Sequence, residues 1–305
     1  MTPRVSVVVP TRDRLASLQR ALASVTAQTF RSMEVVVVDD GSTDGTMGWL
    51  AGNAGVRRVT NDTPGGAGAA RNRGIAHARG ELIAFLDDDD VWQPSYLEEQ
   101  VRNLDATPGA ALSYADHLEV GPADRAARPD TQSLLGYSSV LVRLLAEGFI
   151  HTMSVVVCRR RLFDTHGAFD ERLRVVQDLE WYARLLAAGE HVVHLPRTLV
   201  GRTVPGGLVM RHRQWYDEER HVVDAALATG AITARDAALV RAYRSLFFAH
   251  LALSRRDATF AIVRLAEALE TFPLWTLRIA TRRMVRRLGR ARRAAVWDAP
   301  EPVIT

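Results

Sequence analysis

Lysine is absent from this 305-residue chain, so its 39 Lys and Arg residues are all arginine. Schiff-base chemistry and the lysine of a Walker-type phosphate loop are thereby excluded. Cysteine occurs once, at Cys158, which rules out an intramolecular disulfide framework and fits a reducing compartment. Long apolar runs are lacking as well. The stretch MTPRVSVVVPTRDR is too short for a signal-peptide core and is interrupted at Pro10, and no segment approaches the length of a membrane span. These absences predict a cytoplasmic protein. What remains is an ordinary globular balance, 47% hydrophobic and 24% charged with a formal net charge of +4. A chain of this length holds one large domain with a helical appendage.

One stretch organises the rest: ELIAFLDDDDVW, Glu81 to Trp92, an apolar run that ends in four consecutive aspartates, Asp87 to Asp90. Adjacent like charges repel, so the fold must gain from placing them together. A divalent cation supplies that gain, because carboxylate oxygens are the hard ligands that magnesium and manganese prefer. The alternative is an acidic loop with a solvated face.

Along the first half, β-branched runs alternate with helical periodicity. Val5 to Val9, Glu34 to Val38, Val56 to Thr60 and Leu82 to Leu86 read as strands, the first and second continuous enough to be covered on both faces. Leu15, Leu18, Leu22 and Val25 recur at helical spacing, Ser42 or Thr43 is placed to cap a second helix, and the glycine-rich Gly65 to Gly80 opens a third. Strands spaced by short helices imply a doubly wound, mostly parallel, Rossmann-like sheet. Ligands of such sheets sit beyond the carboxyl ends of the strands, where Asp39, Asp40 and Asp87 to Asp90 all fall.

The middle predicts a helix over Pro94 to Ala106, a strand over Ala111 to Ala115 and a polar loop over Gly121 to Thr131. A helix over Ser138 to Glu147 and a strand over Ser154 to Cys158 follow. Leu179, Tyr182, Leu185 and Leu186 define a further helix stopped by Gly189, and His191 to Leu195 forms a strand. Thr198 to Gly207, with its glycines and Pro205, reads as a flexible loop over the crevice. We divide the chain into an α/β domain, residues 1–210, and a helical region, residues 211–305, with helices at His221 to Thr229, Ala234 to Ser254, Thr259 to Thr271 and Trp275 to Arg293. The last carries eight arginines and no acid from Arg278 to Arg293, with Trp275, Ile279, Val285 and Leu288 as apolar partners. It suits either peripheral contact with an anionic membrane surface or a solvated basic face. Aromatic residues are not interleaved with these arginines, which argues against nucleic acid.

Several motifs fail on inspection. GAGAAR, Gly66 to Arg71, follows the third strand and has Arg71 where a dinucleotide fingerprint needs its last glycine. DDGSTDG has the early spacing of an EF-hand, but Ala51 occupies the position of the bidentate Glu. His151, His194 and His212 have no partner at metal spacing and are read as structural. Arg71 suits a phosphate or carboxylate partner as well as a structural role. Asp178 precedes a helix, where it can be a cap, a catalytic acid or both.

The ordered segments VSVVVPTRDR, VVVVDDGSTDGT, GAGAARNRGIAHARGELIAFLDDDDVWQPSYLE and GAFDERLRVVQDLEWYARL, from Val5 to about Gly207, resemble the family 2 glycosyltransferases of GT-A fold. The resemblance implies inverting transfer from a nucleotide-sugar with Mg2+ or Mn2+ to an acceptor hydroxyl. UDP-sugars are favoured over dTDP- or GDP-sugars. It further implies that Pro10, Thr11, Arg12 and Asp13 line the nucleotide pocket, that Asp39 or Asp40 contacts base or ribose, and that Arg71 holds the nucleotide. Asp87 and Asp88 would face the nucleotide, Asp89 would hold the metal, Asp90 would support the turn, and Asp178 would be the base. Two departures stand out: Gln177 replaces the acid before Asp178, and Arg202 is followed by Thr203 and Val204 where Arg-x-His is expected. The other readings are a nucleotidyltransferase, which would release pyrophosphate, and an inactive sugar-nucleotide-binding scaffold.

Overall fold

The computed structural model describes residues 2–61, 63–120, 125–128, 137–203 and 212–271. In chain order the elements are β1 (Val5–Thr11), α1 (Leu15–Thr26), β2 (Met33–Asp39), α2 (Thr46–Ala51), β3 (Arg57–Thr60), α3 (Ala67–His77), β4 (Leu82–Phe85), β5 (Val91–Trp92), α4 (Tyr96–Ala106), β6 (Ala110–Val120), β7 (Arg125–Arg128), α5 (Val140–Glu147), β8 (Val156–Arg159), α6 (Arg161–His166), α7 (Gln177–Ala187), β9 (His191–Thr203), α8 (His212–Ala228), α9 (Ala234–Ser254) and α10 (Ala258–Thr271). Nine strands form one sheet of order β3-β2-β1-β4-β8-β6-β9-β5, with β7 added beside β6.

The doubly wound expectation holds most fully for β3-β2-β1-β4, where every pairing is parallel. Beyond β4 the sheet is mixed, because β8 runs antiparallel to both β4 and β6 while β6 and β9 are parallel. That reversal brings the start of β8 to the end of β4, with Ala84 opposite Val157. In the parallel half the register pairs Thr11 with Asp39 and Val8 with Phe85. The sequence beyond each strand therefore emerges at one edge. β1 is buried throughout, as its β-branched run requires. Gly74 lets α3 lie against it: a Cβ there would come within 2.4 Å of Val8.

Two loop expectations are corrected. Thr198 to Thr203 is a continuation of β9, because Leu199 and Val200 are buried and the segment pairs with β5 and β6. Its glycine and proline content misled, since Gly201 is itself buried beside Val91. Within the expected Gly121 to Thr131 loop, β7 adds a strand to β6. The remainder of both segments, and the expected helix over Trp275 to Arg293, lie outside the described residues.

The helices that follow pack onto the sheet domain through a shared core: Leu141, Val142 and Leu145 of α5, Ala183 of α7, Val222, Val223 and Ala226 of α8, and Val240 of α9. α8 starts at His212, nine residues before the expected helix, because its first turns mix buried Tyr216 and Glu219 with charged exposed positions and blur the periodicity. α9 opens on a capping box between Thr233 and Asp236. Among the described residues no helix is long and apolar enough to cross a membrane.

A bidentate ion pair joins α8 to α9, Arg244 Nε and Nη2 each donating to Glu219 at 2.5 Å, with both side chains at most 9% exposed. Burial raises the Glu219 pKa, and Arg244 opposes the shift. Arg244→Met should strand a buried carboxylate and cost about 3–5 kcal/mol. Urea unfolding checks this, and the double variant Glu219→Leu/Arg244→Met is expected to recover most of the loss.

Candidate active site

The carboxyl edge of the sheet collects the predicted residues. Pro10 and Thr11 end β1 and are buried. Asp13, at φ 51°, turns the chain, donates its N–H to Ser42 Oγ at 2.9 Å and accepts from the Thr43 N–H at 2.6 Å. Arg12 and Asp13 are exposed beside it. Ser42 does not cap α2, which Gly45 precedes; its hydroxyl donates to Asp39. The carboxylate that caps a helix here is Asp44, accepting from the Leu15 N–H of α1 at 3.0 Å. Asp40 is buried, and both its oxygens are engaged, accepting from Asn61 (2.6 Å) and from the N–H groups of Gly65 (2.9 Å) and Gly66 (2.8 Å). It thereby shapes the turn into α3, where Gly66 takes φ 87°.

The four aspartates have separate surroundings. Asp87 accepts from Arg71 (2.6 Å) and Thr152 (3.1 Å), and its N–H donates to Ser154 (3.0 Å). Asp88 is buried, accepts from Thr11 (2.7 Å) and Arg14 (3.1 Å), and is pushed up to about 6 by burial against the pull of both partners. Asp89 is part-exposed and shares Arg14, at 2.8 Å; burial and the charge of Asp87 raise its pKa. Asp90 is 2% exposed and accepts from the Thr203 N–H at 2.9 Å, so it fastens the turn to the end of β9. Burial and the charge of Asp87 push it up to about 8.

Across the same crevice stand Arg71 and Asp178. Arg71, on α3, is 5% exposed, yet its Nε and Nη1 meet no acceptor among the described residues. Asp178 is the second residue of α7, with Oδ1 accepting from the Leu179 N–H at 2.8 Å at the positive end of the helix. Burial raises its pKa, opposed chiefly by the charge of Arg71. Arg71, Asp87 and Asp178 thus form one electrostatic unit contributed by α3, the β4–β5 turn and α7. The preceding Gln177 is buried, and its Oε1 has no donor among the described residues.

The arrangement suits anion binding beside a held cation. Among the described residues no three His, Cys, Asp or Glu side chains are placed to hold an ion by themselves. Asp89 nevertheless fits a magnesium or manganese ion, since such ions take one or two protein carboxylates and complete their shell with water and substrate phosphate. Burial first, and the charge of neighbouring aspartates after it, raise the pKa values of Asp88, Asp89 and Asp90.

Sequence reasoning passed over Arg14, Thr152, Ser154 and Thr203. Arg14 lay in the PTRDR motif, where its fourfold spacing from Pro10 gives no hint that it reaches Asp88 and Asp89. The others have no motif and are brought in by the antiparallel β8 and the extended β9. Of the three histidines, His194 pairs with Asp116 (2.8 Å), His212 with Asp257 (3.0 Å), and His151 lies edge-on to His117.

Residues 6–167 match the family described as glycosyl transferase family 2. The succinoglycan biosynthesis protein ExoO of Rhizobium meliloti is 35% identical over 201 residues, covering 61% of this chain and 57% of the relative. An uncharacterized glycosyltransferase of Rickettsia felis is 31% identical over 196 residues, 62% of this chain and 32% of the relative. The matched region is therefore under two thirds of either relative's length. Among solved structures, a mannosyltransferase of Pyrobaculum calidifontis in complex with GDP-Man and Mn2+ superposes with a TM-score of 0.62 at 20% identity, over 94% of this chain and 81% of that one. S. aureus TarS 1-349 in complex with UDP-GlcNAc gives 0.61 at 18% identity, over 97% and 95%. At such identities these structures establish the GT-A type fold with its helical extension.

The Asp90 pKa makes a pH prediction. Its folded value, about 8, lies above the ordinary 3.8, so the folded state holds this proton more tightly and folding loses stability as pH rises through that window. With a chelator present, the melting temperature of Asp90→Asn should vary less between those pH values than that of the wild type, as thermal melts across the range will record.

Proposed function

Because this chain belongs to glycosyl transferase family 2, we propose that it moves a sugar, with inversion, from a nucleoside-diphosphate sugar to an acceptor hydroxyl. UDP-sugars are favoured over dTDP- and GDP-sugars, and an acceptor in cell-surface glycan or glycosylated metabolite biosynthesis is in keeping with the ExoO relative. The family match removes the incentive for a nucleotidyltransferase; release of nucleoside diphosphate rather than pyrophosphate separates the two.

The observation that carries the reading is Arg71. A guanidinium 5% exposed, bonded once to Asp87 and holding two unpaired nitrogens, is a prepared site for diphosphate oxygens. Pro10 to Asp13 and Asp39 or Asp40 would receive the nucleoside. Asp89 would hold Mg2+ or Mn2+, in keeping with the Mn2+ of the mannosyltransferase complex. Such an ion, when bound, offsets charge developing on the departing diphosphate. Asp178, from α7, takes the proton of the acceptor hydroxyl as the new glycosidic bond forms, while the bond to the diphosphate oxygen breaks on the opposite face. Its raised pKa suits a base. The charge of Arg71 opposes that rise.

Residues 1–210 form the catalytic domain in this reading and 211–305 a helical region. The described end of that region leaves Ile262, Val263, Leu265 and Leu269 of α10 exposed, just before the arginine-rich Trp275 to Arg293. We place this end on the inner, anionic face of a membrane as a peripheral contact of a cytoplasmic protein.

Two measurements test the proposal. Arg71→Gln should weaken binding of nucleoside diphosphate with Mn2+ about tenfold or more, whereas Asp178→Asn should bind it as the wild type does and lose about 10²–10⁴-fold in turnover. Calorimetry over UDP, dTDP and GDP, followed by nucleotide-release assays with the matching sugar donors, reads both; full turnover by Asp178→Asn would remove it as base. For the membrane contact, the full chain should co-sediment with anionic vesicles and deletion from Trp275 should release it; equal sedimentation of both forms would overturn the assignment.

A further inference from the structure

The helix after β9 meets the entry to α7. Glu218, on α8, directs its carboxylate at the three residues that lead into α7. Its Oε2 accepts from the N–H groups of Val175 (2.8 Å), Val176 (3.2 Å) and Arg174 (3.2 Å), and Oε1 accepts from the Arg174 N–H at 3.1 Å. The carboxylate is itself steadied by Gln214, one turn earlier on α8, at 2.7 Å. Successive amides seldom converge on one side chain, because an extended chain points them in alternate directions. Here they do, and Asp178 follows two residues after the last of them.

The same turn is tied on its other side. The Arg174 guanidinium donates to the Gly65 carbonyl, and a Cβ on Gly66 would come within 2.9 Å of its Nη1. Gly65 and Gly66 are the residues whose N–H groups Asp40 holds. Arg174 thus spans two loops, the turn opening α3, which bears Arg71, and the entry to α7, which bears Asp178. Glu218 fixes the backbone from which it reaches. α8 is anchored for this by Val222 and Val223 in the core shared with α5 and α7.

We propose that Glu218 is a positioning residue: a carboxylate from the helical region sets the entry to α7 so that Asp178 faces Arg71 and Asp87. The helical region is then a working part of the active site. This rests on Asp178 as the base, and because Glu218 acts through the backbone it holds at residues 174–176, its effect is one of geometry, for which misplacement by about 1 Å costs up to about 10²-fold in rate.

The test uses the full chain with Glu218→Ala and Glu218→Gln. The amide variant keeps an oxygen for the three N–H groups, whereas alanine removes every acceptor. In Glu218→Ala, hydrogen exchange of the Arg174 to Val176 amides should accelerate while amides of β1 and α3 stay protected, with partial recovery in Glu218→Gln. With the donor identified by calorimetry, kcat of Glu218→Ala should fall about tenfold to a hundredfold with donor KM unchanged, and Glu218→Gln should restore part of it. Unchanged exchange at Arg174 to Val176, faster exchange everywhere, or faster local exchange with normal kcat would each overturn the role. A wild type that binds no nucleoside diphosphate would instead sink the transferase reading, and the exchange comparison would still decide whether Glu218 orders the turn.

Discussion

The structure turns on the cost of gathering carboxylates at one edge of a sheet. Asp87 to Asp90 leave β4 together, and burial, with the charge of neighbouring aspartates, raises three of the four above the ordinary carboxylate value. Each has its own set of partners: Arg71 for Asp87, Thr11 and Arg14 for Asp88, the same Arg14 for Asp89, and the backbone of Thr203 for Asp90. Neighbouring acids in one sequence run thereby differ in partners and exposure. The most deeply buried, Asp90, fastens the turn to β9, and Asp87 and Asp89 stay part-exposed.

That division depends on the switch from a parallel to a mixed sheet. A further parallel strand beside β4 would carry its amino end away from the acids. Antiparallel β8 instead delivers Thr152 and Ser154 to Asp87, and β9, continuing to Thr203, closes over Asp89 and Asp90. Helix packing completes the enclosure: Asn72 of α3 exchanges bonds with the Phe169 backbone at 2.9 Å in each direction, tying the segment before α7 to the helix that bears Arg71. The two sides of the crevice are thus joined beneath it.

Much of this was legible in the residues. The β-branched runs marked β1 and β2, because strands covered on both faces need no alternation, and acids directly after such runs must emerge at the carboxyl edge of a parallel sheet. The convergence of Asp39, Asp40 and Asp87 to Asp90 followed from that rule. The reach of side chains did not. Arg14 bonds residues more than seventy positions away, and Thr203 more than a hundred, contacts that only strand order determines. Local composition also misled where tertiary packing prevailed: Gly201 reads as a loop residue, yet it lies in β9 because its neighbours Leu199 and Val200 fill the core. Nor did the residues reveal that Asp40 accepts from the Asn61 side chain and from the Gly65 and Gly66 N–H groups.

The absence of lysine has its structural counterpart in the crevice. An ammonium is a compact point charge whose three donors share one nitrogen, whereas a guanidinium spreads five donors over a rigid plane. Arg71 uses that plane to hold Asp87 at 2.6 Å with one nitrogen while two others point elsewhere, all within a side chain 5% exposed. Arg14 bridges two carboxylates with one nitrogen, and Arg174 joins the turn before α3 through its guanidinium and Glu218 of α8 through its backbone N–H. A lysine at position 71 that kept the bond to Asp87 would have to turn its remaining donors within the same small volume, and its strong hydration would oppose burial. Arginine can therefore serve the fold and face a ligand at once, which a crevice crowded with acids requires of each cation it contains.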